Sequence, residues 1–173
     1  MFRNMVLINS SRASPQETRQ ESQKQEKIYI YRTYYDNGNI ETETPFLSSR
    51  LDSKNEKPKE SCFQSKLGDL EHGIVKTFFP HGSIATTKSF KQGVYHGEHE
   101  VWYAENRIKY LCNYKNGVSH GEEKVYFETG KLRYLCNWEN GELHGTYYEW
   151  DDKDKLVLEI KFKHGKPHGL CKR

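Results

Sequence analysis

The chain has 173 residues and a formal net charge of +3, which is enough for one domain but shows no clustered basic stripe. We therefore expect no nucleic-acid binding. No apolar run reaches 18 residues, so we expect no membrane span, and the apolar patch at residues 5–8 is too short for a signal-peptide core. The sequence favours a protein that is not secreted.

Hydrophobic residues make up 34% of the chain, which is low for a domain with a thick core. The 12 Tyr, 8 Phe and 3 Trp are nevertheless too many for a disordered protein. This combination predicts a thin sheet whose large rings cover one another.

The N-terminal part of the chain is the least regular. Residues 1–27 are rich in Gln, Ser and charge without periodicity, and we predict a disordered or extended tail. Residues 28–71 fit a degenerate hairpin repeat, with Tyr34, Ile40 and Phe46 in repeat columns but no His-Gly. An inserted loop at 47–60 interrupts this repeat.

A His-Gly dipeptide recurs every 24 residues through the rest of the chain. An aromatic residue follows each of the first four histidines by six positions, and Ile or Leu follows it by twelve. We predict a repeat array over residues 72–173, with units that start at 72, 96, 120 and 144 and a truncated unit at 168. The repeated dipeptides are His72 and Gly73, His96 and Gly97, His120 and Gly121, His144 and Gly145, and His168 and Gly169.

Alternation within each unit predicts strands. Leu132, Tyr134, Cys136 and Trp138 fall on one strand face, and the pair at 140–141, Asn-Gly, is a hairpin-turn dipeptide. Each unit is therefore predicted to form one two-stranded hairpin. The fold class is all-β, an elongated single-layer meander of tandem 24-residue hairpins.

The units resemble MORN repeats, and residues 120–133 and 113–117 match the bacterial variant of that repeat. The resemblance covers residues 72–169 well and 28–46 weakly, with Asn106 and Asp154 in place of the turn glycine. It implies scaffolding, self-association or attachment to membranes and cytoskeleton. Similar proteins occur in bacteria, where some are described as antitoxin components, in protists and in large DNA viruses of protists.

The repeated histidines and cysteines are predicted to be structural. Equivalent residues of neighbouring hairpins lie two strands apart, about 9.5 Å, which is too far to share a zinc ion or to form a disulfide. We therefore expect no metal and no cofactor, and we place the His-Gly pairs in the turns between units. Cys112 and Cys136 should be free thiols that point inward.

A second apolar row is predicted opposite the Trp102 face. It is a candidate partner or dimer surface, because monomers seldom expose such rows; alternatively, it packs against the N-terminal segment or covers itself. Its members are Val101, Tyr103, Leu111, Val125, Phe127 and Leu135.

No catalytic motif occurs, so the sequence predicts a non-enzymatic scaffold that binds other proteins. The contacts would use the second face, the strand edge at the truncated C-terminal unit or the N-terminal tail, and a homo-oligomer is one form of them. The protein would act in the cytoplasm or as a subunit of a larger assembly such as a virus particle. The alternatives are an antitoxin-like module that neutralises one partner protein and a peripheral membrane scaffold, although acidic neighbours of the turn lysines weaken the lipid interpretation.

Overall fold

The structure, a computed structural model, describes residues 4–8, 27–48 and 72–169. All the regular elements in these ranges are β-strands, which confirms the predicted all-β class. The predicted tail at 1–27 lies outside the described residues except for 4–8 and residue 27, and so does the loop at 47–60 except for 47–48. The strands are β1 (Asn4–Ile8), β2 (Lys27–Tyr34), β3 (Ile40–Ser48), β4 (Gly73–Phe78), β5 (Ile84–Lys91), β6 (Val94–Trp102), β7 (Ile108–Lys115), β8 (Val118–Tyr126), β9 (Leu132–Glu139), β10 (Glu142–Leu143), β11 (Gly145–Trp150), β12 (Leu156–Lys163) and β13 (Lys166–Pro167).

The strands form one open antiparallel sheet in chain order. Each strand pairs with the next, except that β10 and β11 both pair with β9 on either side of His144. The sheet continues across the segment between β3 and β4, where Thr42 pairs with Thr77 and Glu43 pairs with Lys76. The degenerate N-terminal hairpin and the regular array therefore belong to the same sheet.

A wide turn joins the two strands of each unit. In the unit that starts at His120, the amide of Phe127 donates to the carbonyl of Lys131 at 2.8 Å, and the amide of Gly130 donates back to Phe127 at 2.9 Å. Gly130 has a φ of 85°, and Asn106 and Asp154 hold the same turn position with φ values of 59° and 65°. Asn and Asp tolerate this left-handed conformation, so the two departures from glycine preserve the turn.

A narrow turn joins successive units. Asn116 and Gly117 both have positive φ, at 52° and 85°, which matches the type I′ hairpin turn that Asn-Gly favours. The amide of Gly117 also donates to the carbonyl of Tyr95 in the preceding unit at 2.8 Å, and Gly141 repeats this bond to Ser119 at 3.0 Å. The narrow turns therefore stack on one another along one edge of the sheet, by which we mean the side where the strands end in these turns and not an outermost strand.

The wide turns are bonded to each other along the opposite edge. The Tyr103 hydroxyl donates to the carbonyl of Tyr126 in the next unit at 3.0 Å. A second bond joins the last residue of one turn to a carbonyl in the next turn, as in the 2.9 Å bond from Lys131 Nζ to the carbonyl of Asp152. Asn39 makes the equivalent bond to Pro80 and Ser83 makes it to Ala104. Both edges thus carry hydrogen bonds between units.

The sheet is a single layer with a very small core. Among residues whose exposure is described, only Pro45, Cys112, Glu123 and Cys136 are buried, and the two cysteines are 2% and 3% exposed. Most other large side chains are half-buried by their neighbours in the same layer. The stability of the described sheet therefore rests on strand pairing, inter-unit hydrogen bonds and ring contacts within one layer.

The stacking of the narrow turns is tested by replacing one glycine. Gly117 and Gly130 share a φ of 85°, but an added Cβ would lie 3.2 Å from Val94 Cγ1 at Gly117 and would meet nothing within 4 Å at Gly130. Gly130→Ala should lower the free energy of unfolding by about 1 kcal/mol through backbone strain alone. Gly117→Ala should lower it by about 2 kcal/mol, because the crowded Val94 adds a packing cost. Urea unfolding measures both values, and equal losses would contradict close stacking of the turns.

Candidate functional site

The strand register divides the side chains between two faces, because directly paired residues share a face and sequence neighbours alternate. Val101 and Val125 both pair with Tyr110. Leu111 is adjacent to Tyr110 and pairs with Lys124, so it lies on the other side. We call the side that carries Tyr110 the ring face and the side that carries Leu111 the opposite face.

The predicted row of six apolar residues does not lie on one face. Val101 and Val125 lie on the ring face, whereas Leu111 and Leu135 lie on the opposite face with Lys124. Tyr103 and Phe127 begin wide turns, as their turn hydrogen bonds show.

A β-bulge explains why the six residues lie on different faces. Val101 pairs with Tyr110 but Trp102 pairs with Ile108, which leaves Lys109 without a cross-strand partner. An assignment of alternate residues to one face, continued from the first strand through the turn into the second, ignores this unpaired residue. The residues of the second strand are then assigned to the wrong face.

The ring face carries a row of aromatic contacts that the sequence interpretation missed. The Phe90 and Tyr95 ring centroids lie 4.5 Å apart, and Tyr95 lies 5.2 Å from Tyr114. Farther along the sheet, Tyr134 stacks on Tyr147 at 5.6 Å. All five rings keep part of their surface exposed. The repeat columns alone did not reveal this row, because the unpaired residue in each bulge shifts the count between the two strands of a unit.

A buried carboxylate lies near the middle of the ring face. Glu123 is 8% exposed and pairs with Cys112 on one side and Cys136 on the other. The Tyr134 hydroxyl donates to Glu123 Oε1 at 2.7 Å, and the Trp138 indole donates to Oε2 at 2.6 Å. Because both oxygens accept hydrogen bonds, the carboxylate is satisfied in its buried position.

The two cysteines beside Glu123 are free and buried, as predicted. Burial raises the pKa of the Cys136 thiol to about 12, and the Glu123 carboxylate adds to the effect. Burial also raises the pKa of Cys112. Both groups are therefore protonated at neutral pH and behave as small apolar side chains. Cys62 and Cys171 lie outside the described residues.

His99 sits among tyrosine rings on the ring face. Its ring lies 5.4 Å from Tyr110 and 6.1 Å from Tyr114, and it pairs across the strand with Cys112. Burial lowers the pKa of His99, and the nearby Lys88 ammonium lowers it further. The neutral imidazole is the form that this packing favours.

The His-Gly pairs at residues 96–97 and 120–121 lie in bulges and not in the turns where the sequence interpretation placed them. Tyr114 pairs with Ser119 and Cys112 pairs with Glu123, so the single residue Asn113 faces the three residues 120–122. Gly121, at a φ of 82°, provides the left-handed backbone of this bulge. The dipeptide therefore offsets the register where one unit meets the next.

The repeated histidines do not converge on a common ligand. The Nδ1 atoms of His72, His120 and His144 are buried without a hydrogen-bond partner; His144 Nδ1 lies 3.3 Å from Glu139 Oε2, close enough for an ion pair but not aligned for a hydrogen bond. Within the described ranges, no three His, Cys, Asp or Glu side chains are grouped so that they could hold a metal ion. None of the described segments is a helix long and apolar enough to cross a membrane.

Comparison with protein families supports the repeat assignment. A family model described as MORN repeat variant matches residues 30–47, 71–92, 95–116 and 119–140. The first segment coincides with the degenerate hairpin of β2 and β3. The hairpin of β11 and β12 lies beyond the matched segments but has the same wide turn, with Asp151 bonded to Lys155. No curated protein matches the chain.

Burial of the two cysteines predicts slow alkylation. Iodoacetamide at pH 8 should alkylate Cys112 and Cys136 of the native protein at least about a hundredfold more slowly than the cysteine of a free peptide. The two thiols are protonated and are not accessible to the reagent. Both residues should react fully in urea. Peptide mapping by mass spectrometry separates them from Cys62 and Cys171, and rapid native labelling would contradict the buried assignment.

The lowered pKa of His99 predicts acid sensitivity. His99 binds a proton more readily in the unfolded chain than in the folded chain. The stability that comes from packing the neutral imidazole is therefore present above the usual imidazole pKa of about 6.5 and is lost as the pH falls below it. His99→Gln should flatten the dependence of the free energy of unfolding between about pH 7.5 and 5.5. Urea titrations at several pH values measure the slope, and an unchanged slope in the variant would contradict the prediction.

Proposed function

Because the chain belongs to the MORN repeat variant family, whose repeats mediate protein or membrane interactions, we propose that it is a non-enzymatic scaffold that binds other proteins through its ring face. The observation that carries the proposal is the row of half-exposed rings on a single-layer sheet. No second layer covers these rings among the described residues.

The composition of the ring face suits a protein partner. Tyr95, Tyr114 and Tyr134 present flat rings already held by their neighbours, so little side-chain freedom is lost on binding. Tyrosine is also one of the residue types that dominate interface energetics. Tyr147 and Trp138 extend the same surface along the sheet.

The chemistry of the ring face favours binding over catalysis. Cys112 and His99 are directly paired, which would suit a nucleophile and its base. The thiol is 2% exposed and its pKa is raised, so it lacks both the thiolate and the access that a nucleophile needs. We therefore propose that Cys112 and His99 serve to pack the ring face and not to catalyse a reaction.

The partner would decide the biological role. A scaffold of this kind would serve in the cytoplasm or as a subunit of a larger assembly such as a virus particle, with homo-oligomers as one form. If the partner is a single toxic protein, the same surface would act as an antitoxin-like module. If the partner is a lipid surface, the protein would be a peripheral membrane scaffold.

Crosslinking mass spectrometry in native extract tests the proposal. Lys88 pairs with His99 on the ring face, and Lys124 pairs with Leu111 on the opposite face, so crosslinks from the two lysines distinguish the faces. We expect partner crosslinks from Lys88.

Matched substitutions test the same face by affinity. Tyr114→Ser should reduce recovery of the crosslinked partner by about thirtyfold, the loss expected for an interface hot spot. Tyr148→Ser, which removes a ring from the opposite face, should retain binding. Thermal melting checks that both variants fold. Partner crosslinks from Lys124 alone, or equal loss in both variants, would refute the assignment to the ring face.

A further inference from the structure

Two cations occupy the same unusual position in the two central units. Lys109 is the unpaired residue of the bulge between β6 and β7, and Arg133 is the unpaired residue of the bulge between β8 and β9. A residue without a cross-strand partner is turned out of the regular pleat, so a bulge can direct a side chain toward the adjacent turn.

Each cation lies over an aromatic ring at the start of the adjacent wide turn. Lys109 Nζ is 5.4 Å from the Tyr103 ring centroid, and Arg133 Cζ is 5.8 Å from the Phe127 ring centroid. Both cations are exposed, and both rings are half-buried. These distances lie within the range of a cation–π contact, which orients the charge while leaving it accessible.

No carboxylate forms an ion pair with either cation within the part of the chain that the structure describes. Two other wide-turn cations differ in this respect: Arg107 pairs with Glu105 at 2.5 Å, and Lys131 pairs with Asp154 at 3.1 Å. Lys153 and Lys155 in the last wide turn are exposed, and among the described residues they form neither an ion pair nor a cation–π contact. The equivalent bulge positions in the other units have no positive charge. They hold Glu41, Ala85 and Val157.

The spacing of the two cation–ring pairs restricts the backbone conformation of a peptide that contacts both pairs. Equivalent positions in adjacent units are two strands apart, about 9.5 Å. A polyproline II segment rises about 3.1 Å per residue with three residues per turn, so its residues i and i+3 share a side and lie about 9.3 Å apart. In a β-strand, residues i and i+2 share a side but lie only about 6.6 Å apart.

We propose that Lys109 and Arg133, with the rings of Tyr103 and Phe127, bind an acidic, proline-rich segment of a partner protein in the polyproline II conformation. Its two carboxylates, three residues apart, would each contact one cation. Its prolines would contact the rings, as polyproline segments do in other aromatic-lined grooves. This wide-turn site is separate from the ring face and does not depend on the function proposed for that face.

The charges around the wide turns favour this ligand over a membrane. Recognition of anionic lipid generally needs a cluster of four to eight basic residues. Here four exposed cations without an ion pair, at Lys109, Arg133, Lys153 and Lys155, only reach the lower end of that range. The acidic side chains of Glu105, Glu128, Asp152 and Asp154 lie among them and would repel an anionic surface.

Fluorescence anisotropy with labelled synthetic peptides tests the site on the full chain. The probe is a proline-rich 12-residue peptide with Glu at positions i and i+3. The comparison peptides carry Gln at both positions, Glu at i and i+2, or Glu at i and i+7 in a helical sequence. We expect the i, i+3 probe to bind at least about tenfold more tightly than each comparison peptide and to weaken with added salt.

Removal of the two positive charges tests whether Lys109 and Arg133 bind the peptide. The double variant Lys109→Gln and Arg133→Gln should weaken binding of the probe by about tenfold or more. Lys115→Gln and Lys163→Gln remove exposed lysines at the narrow turns and should leave binding unchanged. Thermal melting of all variants separates a lost contact from a lost fold.

Three outcomes would overturn the proposal. The first is equal affinity for the i, i+3 and i, i+2 peptides. The second is preference for the helical peptide. The third is absence of peptide binding together with sedimentation on phosphatidylserine vesicles that the double variant abolishes, which would assign the cations to a membrane surface. Loss of ring-face crosslinks with peptide binding intact would refute only the earlier proposal.

Discussion

Hydrogen bonds between the turns of neighbouring units are the interaction on which the rest of the structure depends. A single layer has little buried apolar surface, so burial alone contributes less than in a two-layer domain. The amide of Gly117 and the hydroxyl of Tyr103 each donate to a carbonyl of an adjacent unit, at opposite edges of the sheet. Together with the strand pairing between units, such as that of β7 with β8, these bonds determine where each hairpin sits beside the next, and the faces of the sheet follow from that placement.

The bulges convert this regular frame into distinct surfaces. The His-Gly bulge resets the register between units, which keeps Cys112, Glu123 and Cys136 aligned across three strands. The bulge beside each wide turn leaves one residue without a partner, such as Lys109 or Arg133. One repeat can thus present rings on a face and charges at an edge while its backbone stays nearly constant.

Much of the fold could be predicted from the sequence because it depends on local rules. The 24-residue period, the Asn-Gly turns and the alternation of apolar residues indicated hairpins in the correct order. The faces could not be predicted, since one extra residue in a bulge exchanges them and no residue type marks that position. The sequence also gave no sign of the buried carboxylate, because Glu123 takes a place where other units have Val75, His99 or Tyr147.

The network around Glu123 has an evolutionary consequence. Its two hydrogen-bond donors, Tyr134 and Trp138, belong to the same 24-residue unit as the carboxylate. Loss or duplication of that whole unit would carry donor and acceptor together. A recombination breakpoint between residues 123 and 134 would instead join the carboxylate to the second half of another unit. Where that half has Phe90 or Phe162 at the position of Trp138, the buried carboxylate would lose a donor, at a cost of several kcal/mol, on the order of 3–5. Unit number should therefore change across lineages in whole hairpins, with breakpoints concentrated outside this interval.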